Sequence, residues 1–181
     1  MTKKKHLFFF DCEGTKNMDL SSFGFVRTDN YFEITDKEEI RFFDGIKIGQ
    51  SMFPTKHEHL KSLLICDETT NFGFAVNNDL LFLKRACERY ECEKLGVASY
   101  DVQNIFRKYA GNGEGNIALA KVINKMQIDR GRLRHHKSAD DAEMTMLILQ
   151  KICHNLSAEP GEIIRCLGAS RYDSFDSVTM M

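Results

Sequence analysis

Two carboxylates at the end of a buried strand limit what a chain can fold into, and this sequence opens with such a pair. Leu7, Phe8, Phe9 and Phe10 form a short apolar run, and Asp11, Cys12, Glu13, Gly14 and Thr15 follow directly. A short aromatic run bounded by polar residues reads as a buried strand. Side chains alternate along a strand, so Asp11 and Glu13 share one face. Two like charges at the end of a core strand repel and are costly to bury. A divalent cation removes that cost, and hard cations such as Mg²⁺ and Mn²⁺ prefer carboxylate oxygen. The plainer reading is a strand that ends in a solvated acidic turn. What separates the two is whether the rest of the chain supplies further ligands.

The length, 181 residues, suits one domain with a substantial core. Net charge is −1, so a polyanion would have to be held by a local patch or by metal ions rather than by a global field. Six scattered cysteines lack paired metal spacing and read as free thiols of a reducing, cytoplasmic compartment. Lys3, Lys4 and Lys5 precede an apolar run of only four residues, too short for a secretory leader. No apolar run approaches the length of a membrane span.

Segment by segment, the pattern predicts strands first, then strands mixed with helices. Residues 21–27, 31–34 and 40–43 read as antiparallel strands joined by hairpins. Gly45 and Gly49 punctuate a loop. A helix is expected over 56–66, a strand over 71–76, and a helix capped by Asn78 or Asp79 running to about 90. A strand over 95–100 precedes a helix started by Asp101. Gly111, Gly113 and Gly115 make a loop without the strand–turn–helix order of a phosphate-binding fingerprint. Asn116 is expected to cap a helix to 127. A basic loop spans 129–137, and a strong helix opens at Ser138 or Ala139 and runs to about 153. Pro160 starts a last short helix ending near Gly168, with a loose tail from 170. This order indicates an α/β domain with a mixed sheet. The expected division is a main domain over 1–155, with a short helix and tail over 156–181 that belong to it or attach loosely.

Two later segments fit the opening pair. Asp79 lies where a strand hands over to a helix, with Leu80, Leu81, Phe82 and Leu83 behind it. His136 stands five residues before Asp141, at the mouth of the 138–153 helix. Each also has a plainer reading, a helix cap for Asp79 and a surface hydrogen-bond partner for His136. His135 and Asp140 compete with His136 and Asp141, and the five-residue spacing favours the latter two.

Together, Asp-x-Glu after the first strand, the mid-chain Asp followed by Leu-x-Phe-Leu, and His-x4-Asp-Ala resemble the DEDDh branch of the DEDD 3′-to-5′ exonuclease superfamily. The resemblance covers about residues 7–153. It implies an RNase H-like fold, a central mixed five-stranded sheet flanked by helices. It also implies that Asp11, Glu13, Asp79 and Asp141 hold two divalent cations, Mg²⁺ or Mn²⁺, with His136 as general base. The reaction implied is phosphodiester hydrolysis at single-stranded 3′ ends, releasing nucleoside 5′-monophosphates, with two cations about 4 Å apart serving the attacking and leaving oxygens. DNA is slightly favoured over RNA as substrate, and the alternative is an RNA-trimming or oligoribonuclease-like enzyme. A polymerase or another replication or repair protein is a conceivable partner. A non-catalytic nucleic-acid-binding module would be expected to lack one of the five residues, and all five are present.

The chain departs from the family pattern at two places. Gly14 stands where a Thr is usual, and Phe74, Ala75 and Asn78 occupy positions usually held by His-Asn and by the Phe before the acid. Gly14, Thr15, Phe74, Asn78 and Arg134 are the expected substrate contacts. Phe53 and Phe74 could stack on a base, although core packing is favoured for each. The basic loop (Arg130, Arg132, Arg134, Lys137) reads equally as a phosphate grip and as a solvated charged loop.

Overall fold

The computed structural model describes residues 6–43, 51–111 and 115–167, together with the backbone of 171–172. The expected Gly45–Gly49 loop, Gly113 and the tail from 173 lie outside those residues.

The first strand forms as the aromatic run requires, but it continues through the acids: β1 spans His6–Gly14. It pairs antiparallel with β2 (Leu20–Thr28), which pairs antiparallel with β3 (Ile34–Arg41). On its other side β1 pairs parallel with β4 (Thr69–Gly73), and β4 pairs parallel with β5 (Ser99–Asp101). This is the expected mixed five-stranded sheet. A two-residue strand, β6 (Arg171–Tyr172), adds antiparallel to β5 and makes the order β3-β2-β1-β4-β5-β6. The tail expected to be loose from residue 170 is therefore paired at its start.

The two strands expected over 31–34 and 40–43 are instead one strand, β3. Thr35, Asp36, Lys37, Glu38 and Glu39 carry no apolar alternation, so nothing in the pattern marks them as strand. At the sheet edge both faces of β3 are largely solvated, and the β2 ladder supplies the pairing instead of a buried face. Its charged side chains suit an edge strand.

The helices are α1 (Phe53–Leu64), α2 (Asn77–Arg89), α3 (Val102–Tyr109), α4 (Leu119–Lys125), α5 (Ser138–Leu156) and α6 (Pro160–Cys166). Asp101 caps α3 as expected, accepting from the N–H groups of Gln103 and Asn104. Asn78 and Asp79 do not cap α2, and Asn116 does not cap α4: the N-cap positions are Val76 and Ala118, neither bonding through its side chain. At α2 the Asp79 side chain is taken by β1 instead.

Alternation along β1 splits the core in two. Phe8 and Phe10 face the layer of α1 and α2 with Phe23, Phe25, Leu60 and Leu80. Leu7 and Phe9 face the layer of α3, α4, α5 and α6 with Phe72, Ile105, Leu149 and Ile163. Phe8 stacks on Phe25 and Phe9 on Phe72, with ring centroids 5.0 and 5.2 Å apart. Such pairs add about 0.5–1.5 kcal/mol beyond area burial. β1 is thus held on both faces, and its C-terminal end is a fixed base for Asp11 and Glu13. All six cysteines are free. Among the described residues no helix is long and apolar enough to cross a membrane.

Candidate metal and catalytic site

Three elements bring their carboxylates to the C-terminal end of β1. Asp11 and Glu13 come from the strand itself and Asp141 from the first turn of α5. One carboxylate oxygen of each lies within 4.8 Å of the others. Asp79, in the first turn of α2, is the fourth acid but stands outside that set of three. It is buried, and its Oδ1 accepts the Cys12 N–H at 2.8 Å, which ties α2 to β1 between the two strand acids.

The approach of α5 depends on Gly24. Gly24 pairs with Asp11 across the β1–β2 ladder. A Cβ there would sit 1.9 Å from the backbone nitrogen of Ala139, so only glycine lets the start of α5 lie on β2. Ser138 Oγ donates to Ser22 Oγ at 3.1 Å and fixes the same approach. Asp141 is thereby carried over Asp11. A strand-interior glycine was the signal for this close approach, and the sequence reading did not use it.

The electrostatics are those of a buried acidic cluster. Burial raises Asp11 well above the ordinary carboxylate range, and Asp79, Asp141 and Glu13 push it further. Burial likewise raises Asp79 strongly, opposed by the Cys12 N–H and reinforced by Asp101 and Glu13. Glu13 is raised by partial burial and by Asp141, with His136 acting in the opposite direction. Asp141 is raised by burial, against the bonds from His136 and His135. Two oxygens, Asp11 Oδ2 and Asp79 Oδ2, are buried without a hydrogen-bond partner among the described residues. A buried, unpaired carboxylate oxygen costs several times what a satisfied one does. An all-oxygen donor set of this kind fits a hard divalent cation.

Both histidines of the pair reach the cluster. His136 adopts a left-handed backbone, φ 65°, which only a locally enforced turn sustains in a non-glycine residue. Its N–H donates to Asp141 Oδ2 at 2.9 Å. Its ring is 90% exposed, with Nδ1 3.8 Å from Glu13 Oε1. His135 turns its ring inward, Nδ1 lying 3.1 Å from Asp141 Oδ1. The spacing argument that set His136 above His135 thus separates two positions, a solvent-facing ring and one held against a carboxylate. Asp140 is occupied elsewhere, by Lys37 at 2.7 Å and the Arg134 N–H at 3.1 Å. Those bonds outweigh its partial burial and hold it below the usual range.

The expected substrate contacts are dispersed around this cluster. Gly14 is covered by Phe82, whose ring would come within 2.3 Å of a Cβ there. The Thr15 hydroxyl accepts the N–H groups of Asn17 and Asp19 and shapes the β1–β2 turn. Phe74 is half-buried against the second core, Asn78 is exposed on the first turn of α2, and Arg134 is exposed on the basic loop. Phe53 is fully buried among Phe42, His57 and Tyr90 and belongs to the core. Asp101 is the functional neighbour that sequence reading did not connect to the site. It caps α3, accepts the Ala75 N–H at 3.0 Å, and adds its charge against Asp79.

No protein-family model matches the sequence, and no curated protein matches it. Solved structures do. The chain is similar to the 3′-exonuclease that recognises the 3′ end of histone mRNA stem-loop, at 13% identity and a TM-score of 0.69, over 84% of this chain and 64% of that one. It is similar to the nuclease domain of 3′hExo, a DEDDh family member bound to rAMP, at 14% identity and a TM-score of 0.63, over 85% of this chain and 94% of that one. It is similar to E. coli exonuclease I in complex with a dA16 oligonucleotide, at 13% identity and a TM-score of 0.64, over 90% of this chain but 43% of that one. The chain thus spans less than two thirds of the first and the last of these. At such identities the likeness is one of fold, and the chain has the fold of the DEDDh nuclease domains.

Proposed function

We propose that the protein is a metal-dependent 3′-to-5′ exonuclease acting on single-stranded nucleic-acid ends, with Asp11, Glu13, Asp79 and Asp141 as metal ligands and His136 as general base. The observation that carries this is the convergence of Asp11, Glu13 and Asp141, with Asp79 bonded alongside through Cys12 and with two of the four carboxylates carrying buried oxygens that no described residue satisfies. Two Mg²⁺ or Mn²⁺ ions bound there would supply an activated water and neutralise charge at the leaving 3′ oxygen.

The chain's own groups have distinct tasks. The exposed His136 ring takes the proton of the attacking water as its oxygen adds to phosphorus and the P–O3′ bond breaks. The products are a nucleoside 5′-monophosphate and a strand one nucleotide shorter. His135 holds the Asp141 carboxylate in orientation, and the Cys12 N–H does the same for Asp79. Gly14, Thr15, Phe74 and Asn78 surround the terminal nucleotide, and Arg134 lies next to it on the 5′ side of the strand. The main domain, over 1–155, carries the whole site.

DNA is the first substrate of this proposal. RNA is the second reading, favoured by the neighbours that recognise an mRNA 3′ end and that bind rAMP. The test is a gel assay with 5′-labelled single-stranded DNA and RNA, in Mg²⁺ and in Mn²⁺, with Asp11→Ala alongside. The expected result is a ladder shortening from the 3′ end, absent in the variant. Equal turnover by Asp11→Ala would overturn the assignment, and the preferred strand identifies the sugar.

A further inference from the structure

The loop between α4 and α5, residues 129–137, carries Arg130, Arg132, Arg134 and Lys137 against one acid, Asp129, in a chain of net charge −1. The three arginines occupy alternate positions and all are exposed. Among the described residues no guanidinium of the three has an ion-pair or hydrogen-bond partner. Elsewhere arginines are engaged: Arg41 pairs with Glu39, Arg89 with Asp19, and Arg27 lies over the Phe8 ring. The acids closest in sequence are taken. Asp129 accepts the Gly131 N–H, Asp140 holds Lys37 and the Arg134 N–H, and Asp141 holds both histidines.

The loop backbone is pinned. Leu133 donates its N–H to the Arg130 carbonyl at 3.0 Å and packs its side chain against the second core. Gly131, at φ 53°, allows the turn. The Arg134 N–H is bonded to Asp140. Three like charges are therefore rooted close together with no internal compensation, and the loop leads directly into His135 and His136. A multiply charged anion is the partner that offsets such repulsion.

We infer that Arg130, Arg132 and Arg134 form a track for the internal phosphates of a single strand, 5′ of the nucleotide in the metal site. This rests on the nuclease reading above and narrows its substrate class: strands several nucleotides long are bound in preference to dinucleotides. Each phosphate contact on a single strand contributes about 0.7 to the slope of log affinity against log salt.

The test uses the full chain and an Arg130→Gln/Arg132→Gln variant. Fluorescence anisotropy with 5′-labelled oligo(dT) and oligo(rU) of about 16 nucleotides is followed across a salt series in Ca²⁺. Turnover of the oligomer in Mn²⁺ is compared with turnover of the p-nitrophenyl ester of thymidine 5′-monophosphate, which has no internal phosphates. The variant is expected to lower the salt slope by about 1.4. At about 0.1 M salt that corresponds to about 25-fold weaker oligomer binding relative to 1 M, with the oligomer-to-ester ratio of kcat/KM falling in step. An unchanged slope and an unchanged ratio would overturn the track. If the wild type hydrolyses neither substrate, the nuclease reading falls, and the anisotropy slopes still decide the track by themselves.

Discussion

At the residue scale the site is defined by two buried carboxylate oxygens, Asp11 Oδ2 and Asp79 Oδ2, that no described residue bonds. These costly side chains are held there by their surroundings, Asp11 by the β1 ladder and Asp79 by the Cys12 N–H. Asp11→Asn removes the charge that Asp79, Asp141 and Glu13 oppose while keeping the shape. The variant is expected to melt about 3 °C higher than wild type in metal-free buffer at neutral pH, a gain of about 1 kcal/mol, and to lose hydrolysis. Differential scanning calorimetry in chelator reads the first, and a lower melting temperature would contradict the repulsion argument. The histidines separate by a different measurement. With the exposed His136 ring as the proposed base, His136→Ala should lower kcat by about 10²–10⁴-fold. Titration calorimetry with Mn²⁺ should find its metal affinity close to wild type. His135→Ala frees the Asp141 carboxylate and should weaken Mn²⁺ binding instead. A loss of metal affinity on removing the His136 ring would exchange the two roles.

At the element scale the decisive contact is the start of α5 on β2. Gly24→Ala places a methyl carbon against backbone at Ser138 and Ala139, and backbone cannot rotate out of the way. The helix start must move, and Asp141 and both histidines move with it. The variant is expected to lose about 1–3 kcal/mol in urea unfolding and most of its hydrolytic activity. Wild-type activity in Gly24→Ala would show that the position of Asp141 does not depend on this contact. Legibility divides along the same elements. β1, β2, α2 and α5 were readable because a buried face imposes a period on their residues. The three carboxylates that meet, and Asp79 beside them, were readable because a motif sets carboxylates at element ends. β3 was not, because an edge strand solvated on both sides leaves no period. The cap at α2 was misread because a local pattern cannot say when a distant strand claims the side chain, as Cys12 claims Asp79, and the cap at α4 because the helix starts later than Asn116, with Ala118 at its N-cap. The pairing of His135 with Asp141, and the reach of Asp101 to Ala75, depend on how loops close in space and leave no mark in spacing.

At the scale of the whole molecule, Asp11, Asp79 and Asp141 join the first strand, the second helix and the fifth helix across most of the chain. A cation held by these acids would therefore act on global stability and not on one loop. The sign of the pH dependence follows from the raised carboxylates. Asp11 and Asp79 stand well above the ordinary value of 3.8 in the folded chain. Between 3.8 and the raised values the folded state binds more protons than the unfolded state, so stability falls as pH rises through that window. Below it, with all forms protonated, the stabilising contribution is fully present. A bound divalent cation replaces those protons and reverses the trend, because its affinity grows as the carboxylates ionise. Metal-free protein is thus expected to melt at progressively lower temperature from about pH 4 upward until the cluster is ionised. At neutral pH, Mn²⁺ at about 100 times its dissociation constant should restore about 2.7 kcal/mol, which for a chain of this size is roughly 5–10 °C. Thermal unfolding across pH, in chelator and in Mn²⁺, measures both. A metal-free melting temperature that rose through the same interval would mean that the four acids do not share one buried field, and the metal assignment would lose its physical basis.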